Sequence, residues 1–181
     1  MTDTSEIQRL LDKQAITEVL YRYSRGVDRC DRSILATVYW PEAQDDHMVF
    51  QGSGDSLLDY LSTAVLHMRT QHRLANILVE FDGAAAARCE SYVVAYHNMA
   101  VENGREDVIF GGRYLDRFEK RAGEWRIAHR KLVMDFFQRQ PAAVDLGMFG
   151  SLPITGGHYP ADPLYEFSPE LHSPRNGGHG A

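Results

Sequence analysis

Proline is almost missing from most of this chain. Pro41 is the single example before position 141, and the other six of its seven prolines lie at or after Pro141. Residues 1–140 therefore lack the breakers that would cut long helices and strands, whereas 141–181 are rich in Pro and Gly and show no periodicity. Cysteine is scarce too. Cys30 and Cys89 stand far apart with no motif spacing, which argues against a disulfide framework or a thiolate metal site and reads as two free thiols of a reducing compartment, the cytoplasm by default. No apolar run reaches the length of a membrane span. The start, Met1-Thr2-Asp3-Thr4-Ser5-Glu6, is acidic and polar, unlike a secretory leader. The net charge of −6 offers nothing to a phosphate backbone, so neither nucleic acid nor a membrane is an expected partner. Glycine-rich phosphate loops and seryl or cysteinyl nucleophile motifs are absent as well.

What is present describes one globular domain: 181 residues, 44% of them hydrophobic and 24% charged, enough for a single core and too few for two ordinary ones. Ile16, Val19, Leu20, Tyr23 and Val27 recur at helical spacing and predict an amphipathic helix over 5–26, capped by Asp3 or Thr4. A short helix over 32–39, with Ile34, Leu35 and Val38 inward, is expected to stop before Pro41. A short strand over 44–50, a Gly52-Ser53-Gly54 turn and a helix over 55–68 follow. The pattern then becomes alternating. Strands are predicted over 72–81, 87–101, 107–120 and 124–137, separated by hairpin-like turns at Asp82-Gly83, Glu102-Asn103-Gly104 and Arg121-Ala122-Gly123. The fold class is α+β, with helices over one face of a mostly antiparallel sheet. Residues 1–140 form the domain. In the 141–181 tail, apolar residues such as Val144, Met148, Phe149 and Ile154 should cover a cavity or a subunit contact, and the last residues should be disordered.

Candidate chemistry begins at residues 70–81. With period two, His72 shares a strand face with Leu74, Asn76, Leu78 and Glu80, a polar patch on an apolar surface of the kind that lines small-molecule pockets. On the next strand His97 stands among Cys89, Ser91, Val93, Ala95 and Met99. Taken alone, either imidazole reads more readily as a core histidine satisfied by a neighbour, and it is the company the two keep that points to chemistry. Asp28 falls where the first helix ends, beside the buried stripe of Tyr23 and Val27, although negative charge is unfavourable at a helix C-terminus. A His and an Asp meeting in an apolar pocket make a general base. Asp45-Asp46-His47 could supply metal ligands, but adjacent residues of a strand point to opposite faces, so no metal is expected. Arg113 and Arg130 could orient an anionic group, or simply pair with carboxylates.

Several stretches resemble the SnoaL-like group of the nuclear transport factor 2-like superfamily. They are Val27-Asp28-Arg29-Cys30-Asp31, Val38-Tyr39-Trp40-Pro41, Arg69-Thr70-Gln71-His72 with Asn76, Ser91-Tyr92 with Ala95-Tyr96-His97, Gly111-Gly112-Arg113-Tyr114 and Gly123-Glu124-Trp125. The resemblance covers about residues 5–138 and implies a cone-shaped α+β barrel, its helices packed on a strongly curved sheet around a cavity. Scytalone dehydratase has the Arg-Thr-Gln-His run, and its catalytic Asp and second His fall on Asp28 and His97. Hexachlorocyclohexane dehydrochlorinase has a matching Gly-Val-Asp and its base on His72. The dehydratase's carbonyl-activating groups are replaced, for example by Val27, Gly112 and Tyr114, so scytalone itself is not the expected substrate.

Together these observations predict a cofactor-independent lyase of the dehydratase or dehydrohalogenase type. Asp28, His72 and His97 would be catalytic, and Tyr23, Val27, Asn76, Tyr92, Arg113 and Tyr114 would line the substrate. The expected ligand is a small apolar, aromatic or polycyclic molecule, and an open sheet face suggests a homo-oligomer, trimer or dimer. The rivals are an isomerase or polyketide-cyclase-type enzyme using the same base, and a non-catalytic ligand-binding or assembly module like the small subunit of ring-hydroxylating dioxygenases.

Overall fold

The helical stripe of Ile16, Val19, Leu20, Tyr23 and Val27 runs along one 25-residue helix, α1 (Thr4–Asp28), in the computed structural model, which describes residues 4–142, 154 and 156–168. All five side chains are buried. Each is worth about 1.5–3 kcal/mol relative to exposure, so this stripe is what fixes the helix on the sheet. At the end of α1 the chain turns sharply through Cys30 at φ 51°, and Asp31 caps α2 (Arg32–Leu35) by accepting the Ser33 and Ile34 N–H groups. Gly26 is where the two helices meet: a Cβ there would come 2.6 Å from Leu35 Cγ. Close packing at this corner holds the last turn of α1, and with it Asp28, in one place.

The second helix is shorter than its apolar spacing predicts. It closes at Leu35, and β1 (Tyr39–Asp46) begins where a helix over 32–39 was expected to end. Tertiary pairing overrides the local pattern here, because β1 docks parallel to β6 (Glu124–Pro141) with Tyr39 opposite Ile127 and Gln44 opposite His129. Pro41 sits inside the register shift between those two pairs, where its missing N–H costs no ladder bond. β2 (Gln51–Ser53) adds antiparallel to β1, and Ser53 caps α3 (Gly54–Ala64). The remaining strands, β3 (Arg69–Phe81), β4 (Ala86–Val101) and β5 (Gly104–Arg121), follow as hairpins. The six strands form one open mixed sheet in the order β2-β1-β6-β5-β4-β3. It carries α1 on its inner face, as the α+β reading predicted, with Val93, Ala95, Tyr114, Phe118, Ile127 and Leu132 among its buried inward residues.

One irregularity changes the reading of β3. Ala75 pairs with Tyr92 and Leu78 with Glu90, so Asn76 and Ile77 together face Ser91 alone, and Asn76 adopts φ 47°. This bulge flips the strand: Thr70, His72 and Leu74 face inward before it, and Ile77, Val79 and Phe81 after it. The strict alternation that grouped His72 with Asn76, Leu78 and Glu80 therefore does not survive. Asparagine at the left-handed position is the local cause, since it tolerates that conformation better than most side chains.

The outer face of the sheet exposes Tyr92, Val94, Leu115 and Phe136. β6 reaches Pro141, one residue past the expected domain limit. The tail returns at 156–168, where Asp162 ion-pairs with Arg29 at 3.4 Å, Tyr165 donates to Asp31 at 2.8 Å, and α4 (Leu164–Phe167) ends the described chain near Ser168. Most of 141–155, expected to cover the cavity or a subunit contact, and the last ten residues, expected to be disordered, lie outside the described residues. No described helix is long and apolar enough to cross a membrane.

Candidate active site

Asp28 closes α1 at the point where β3 enters the sheet, and two inward positions of β3 meet it. The Thr70 hydroxyl donates to Asp28 Oδ1 at 2.8 Å, and the His72 backbone N–H donates to Oδ2 at 2.9 Å. His72 Nδ1 lies 2.7 Å from Oδ1. A carboxylate only accepts, so in the neutral imidazole the proton sits on Nδ1 and Nε2 keeps its lone pair. Burial alone would raise the Asp28 pKa, but the hydrogen bonds and charge of His72 with the Thr70 hydroxyl outweigh it and hold the carboxyl below its usual range. The unfavourable helix-end charge is thus compensated by three donors, none of them from α1 itself. The His72 side chain is only 4% exposed, so the pair works in a dry environment where such contacts are strong.

His97 stands opposite Thr70 in the β3–β4 register, and its ring centre is 5.4 Å from that of His72. It stacks on Phe110 at 5.4 Å with the rings tilted by 20°. Burial, and then the charge His72 would carry when protonated, push His97 down to about 4, so it is neutral at physiological pH. Tyr23 closes the other side, its ring 6.3 Å from His72 and edge-on. Val27 is buried one turn beyond it.

Behind Tyr23 lies a second polar group that the strand pattern only hinted at. His47 Nδ1 is 2.5 Å from Asp45 Oδ1, and the Tyr39 hydroxyl donates to Asp45 Oδ2 at 2.7 Å. His47 Nε2 lies 3.0 Å from the Tyr23 hydroxyl and, with its ring proton on Nδ1 toward Asp45, accepts a hydrogen bond from it. Next to it Arg130 holds Asp116 with two bonds of 2.7 Å, both side chains fully buried. The Arg130 guanidinium carbon lies 4.2 Å from the Tyr23 ring centre and 4.0 Å from that of Tyr114. Its Nη1 and the Tyr114 hydroxyl find no hydrogen-bond partner among the described residues, so the tyrosine faces carry part of its stabilisation. Arg130 stays a cation: burial alone would weaken it, and the facing Asp116 more than offsets that.

The other sequence candidates lie elsewhere. Tyr92 and Arg113 alternate with Ser91 and Tyr114 and face outward, where Arg113 bonds Glu90 at 3.0 Å and Asp135 at 3.1 Å. Asn76 is exposed at the bulge. The period-two logic that placed His97 inward puts its even-numbered neighbour Tyr92 outward, so that exclusion was available from spacing alone. Among the described residues no group of three or more His, Cys, Asp or Glu is disposed to hold a metal ion. Asp45 is buried while Asp46 sits at the surface bonding Gln51 at 3.1 Å. Cys30 and Cys89 are free, and burial raises their thiols to about 11 and about 12, which leaves them unreactive at neutral pH.

A model of the SnoaL-like domain matches residues 8–131. The chain belongs to this family. Among curated relatives, this SnoaL-like chain is 23% identical over 140 residues to hexachlorocyclohexane dehydrochlorinase 1 of Sphingobium indicum, a span of 74% of the chain and 88% of that protein. It is 27% identical over 129 residues to an uncharacterized protein of Mycobacterium tuberculosis, covering 68% of the chain and 86% of the relative. A solved type 2 hexachlorocyclohexane dehydrochlorinase superposes with a TM-score of 0.70 at 21% identity, covering 79% of this chain and 98% of that one. A Novosphingobium aromaticivorans structure carrying a provisional scytalone dehydratase name gives 0.64 at 23% identity, covering 77% and 93%. These likenesses establish the SnoaL-like α+β fold anticipated from the motifs, although the sheet, expected as a cone-shaped barrel, is not closed in this chain.

Proposed function

We propose that the chain is a cofactor-independent lyase that removes a proton from carbon of a small, cyclic substrate. His72 is the base and Asp28 its orienting partner. One observation carries the reading: Asp28 fixes Nδ1–H of His72 at 2.7 Å, while Nε2 has no hydrogen-bond partner among the described residues. An imidazole held on one side and open on the other is ready to take a proton, and the carboxylate favours the imidazolium that results. The neutral His97 beside it supplies a hydrogen-bonding ring without competing for that charge. Tyr23 and Val27 close the apolar wall, and Tyr114 supports it through Arg130. The dehydrochlorinase relatives make elimination of a β leaving group the favoured outcome; isomerisation would use the same base and no leaving group.

The test separates proton abstraction from the rest of the reaction. Cyclic ketones and γ-hexachlorocyclohexane are incubated with the protein in D₂O, and deuterium uptake at carbon and release of the leaving group are followed by NMR. Exchange or elimination by the native protein, lost in His72→Ala with the fold intact, is the expected result. Equal rates in the native protein and His72→Ala would end the proposal.

A further inference from the structure

A cleft of about 410 Å³ opens beside the dyad, between the start of β3 and the returning tail. Its floor is apolar, with Leu66, Met68 and Ile154, and it reaches Asp28 and Thr70. Its charged and titratable wall is one-sided: Arg29, His67, Arg69, Arg105 and His158 against the single carboxyl of Asp28. That carboxyl is already engaged by Thr70 and His72. Arg29 is neutralised by Asp162 at 3.4 Å. Arg105 is not: it bonds the Asn98 backbone carbonyl at 2.9 Å, the Asn98 side-chain oxygen and the His67 carbonyl at 3.5 Å, all neutral acceptors. Arg69 and His67 have no carboxylate partner among the described residues, whereas His158 lies near enough to Asp162 to help hold that carboxyl below its usual range. A protein of net charge −6 thus gathers two uncompensated arginines and two histidines at one opening.

We propose that this cleft is an anion subsite that receives a carboxylate of the substrate, held chiefly by Arg69 and Arg105. The inference rests on the dyad reading and adds a substrate preference to it: a cyclic acid ahead of a neutral ring of the same shape. The spacing suits that class. Thr70, which lines the cleft, and His72 are two residues apart on one face of β3, about 7 Å along the strand, a separation that a ring bearing a carboxylate can span. Cations at a half-open mouth also steer an anionic ligand inward and fix its orientation before chemistry.

The probe is 2-naphthoate, compared with its uncharged isostere 2-naphthamide by titration calorimetry on the full chain. The expected result is that naphthoate binds about tenfold tighter at low salt, a preference of the size part-exposed ion pairs give, and that 0.5 M NaCl removes most of it. Arg69→Gln with Arg105→Gln should abolish the preference while leaving naphthamide unchanged. Arg69→Glu alone should reverse it, which keeps the test alive if the double variant folds poorly. Equal affinities, a preference indifferent to these substitutions, or no naphthoate binding at millimolar concentration would each overturn the subsite. His72→Ala should retain the preference. Naphthoate binding as expected with turnover surviving in His72→Ala would sink the dyad and leave the subsite standing; the opposite pattern would do the reverse.

Discussion

Two Asp–His pairs in this molecule are built to one plan and finished differently. In each, one carboxylate oxygen takes the imidazole Nδ1, at 2.7 Å for Asp28–His72 and 2.5 Å for Asp45–His47. In each, a hydroxyl also donates to the carboxylate, Thr70 in the first and Tyr39 in the second. The far nitrogens then part company. His47 Nε2 is occupied by the Tyr23 hydroxyl at 3.0 Å, whereas His72 Nε2 is open. A closed pair has spent its hydrogen-bonding capacity on the fold; an open pair keeps a lone pair for chemistry. On the proposed function the same side chains serve stability beside β1 and reaction beside β3, and what decides is the last partner.

The largest expected effect breaks this contrast directly. His72→Ala should lower the rate of proton removal by about 10²–10⁴-fold, the usual contribution of a general base, and should also cost stability because buried Asp28 loses its ring partner. His47→Ala should cost stability without that loss of rate. It leaves the buried Tyr23 hydroxyl and Asp45 without their partner, which costs about 1–3 kcal/mol of stability, while the rate of the folded protein stays within about tenfold. Deuterium exchange and urea unfolding on both variants read the two axes. A rate loss in His47→Ala as large as in His72→Ala would mean that the closed pair is catalytic as well.

The carboxylates sharpen the comparison. Asp28→Asn keeps the shape but removes the charge that favours imidazolium, and its amide can hold the wrong tautomer, so its rate should approach that of His72→Ala. Adding His72→Ala to it should cost little more, because the two act as one unit. Asp45→Asn should spare the rate and lower the urea midpoint. Full activity in Asp28→Asn would separate His72 from its proposed partner.

Much of this was legible in the residues. The stripe from Ile16 to Val27 and the Gly- and Asn-rich turns specify α1 and three hairpins, because helical and strand periods are properties of the chain itself. Asp28, His72 and His97 were visible as polar residues on apolar faces. What periodicity could not express is non-local. The parallel docking of β1 on β6 turned the end of an expected helix into strand at Tyr39. The Asn76 bulge interrupted a period that assumes one residue facing one. Buried Arg130 looks like any strand arginine until Asp116 and two tyrosine rings enclose it.

The third prediction uses His97, the imidazole beside the open pair. Its folded pKa is about 4, below the ordinary value of 6.5. The unfolded chain therefore takes up a proton between pH 6.5 and 4 that the folded chain refuses. Stability must fall as pH drops through that window, at a slope of about 1.4 kcal/mol per pH unit from this group. His97→Gln should flatten the slope of the urea midpoint against pH there. An unchanged slope would place the acid sensitivity in another group.

The smallest effect compares the two hydroxyls. Thr70→Val and Tyr39→Phe each remove one donor from a buried carboxylate and should each cost about 1 kcal/mol. The consequences should still differ. The Thr70 hydroxyl helps hold the Asp28 pKa down, so its loss moves that pKa back up. A depressed carboxyl stabilises the fold above its unfolded pKa and loses that contribution as pH falls through the folded one. Thr70→Val should therefore unfold at a higher pH on acid titration than the native chain. Its proton-removal rate at neutral pH should drop severalfold at most, since Asp28 still holds His72 at Nδ1 and at the backbone. Tyr39→Phe should leave that rate alone, because the carboxylate it serves belongs to the closed pair. Equal rate losses in the two variants would mean that the Tyr23 bridge carries changes at Asp45 through to His72, and the division of labour between the pairs would no longer hold.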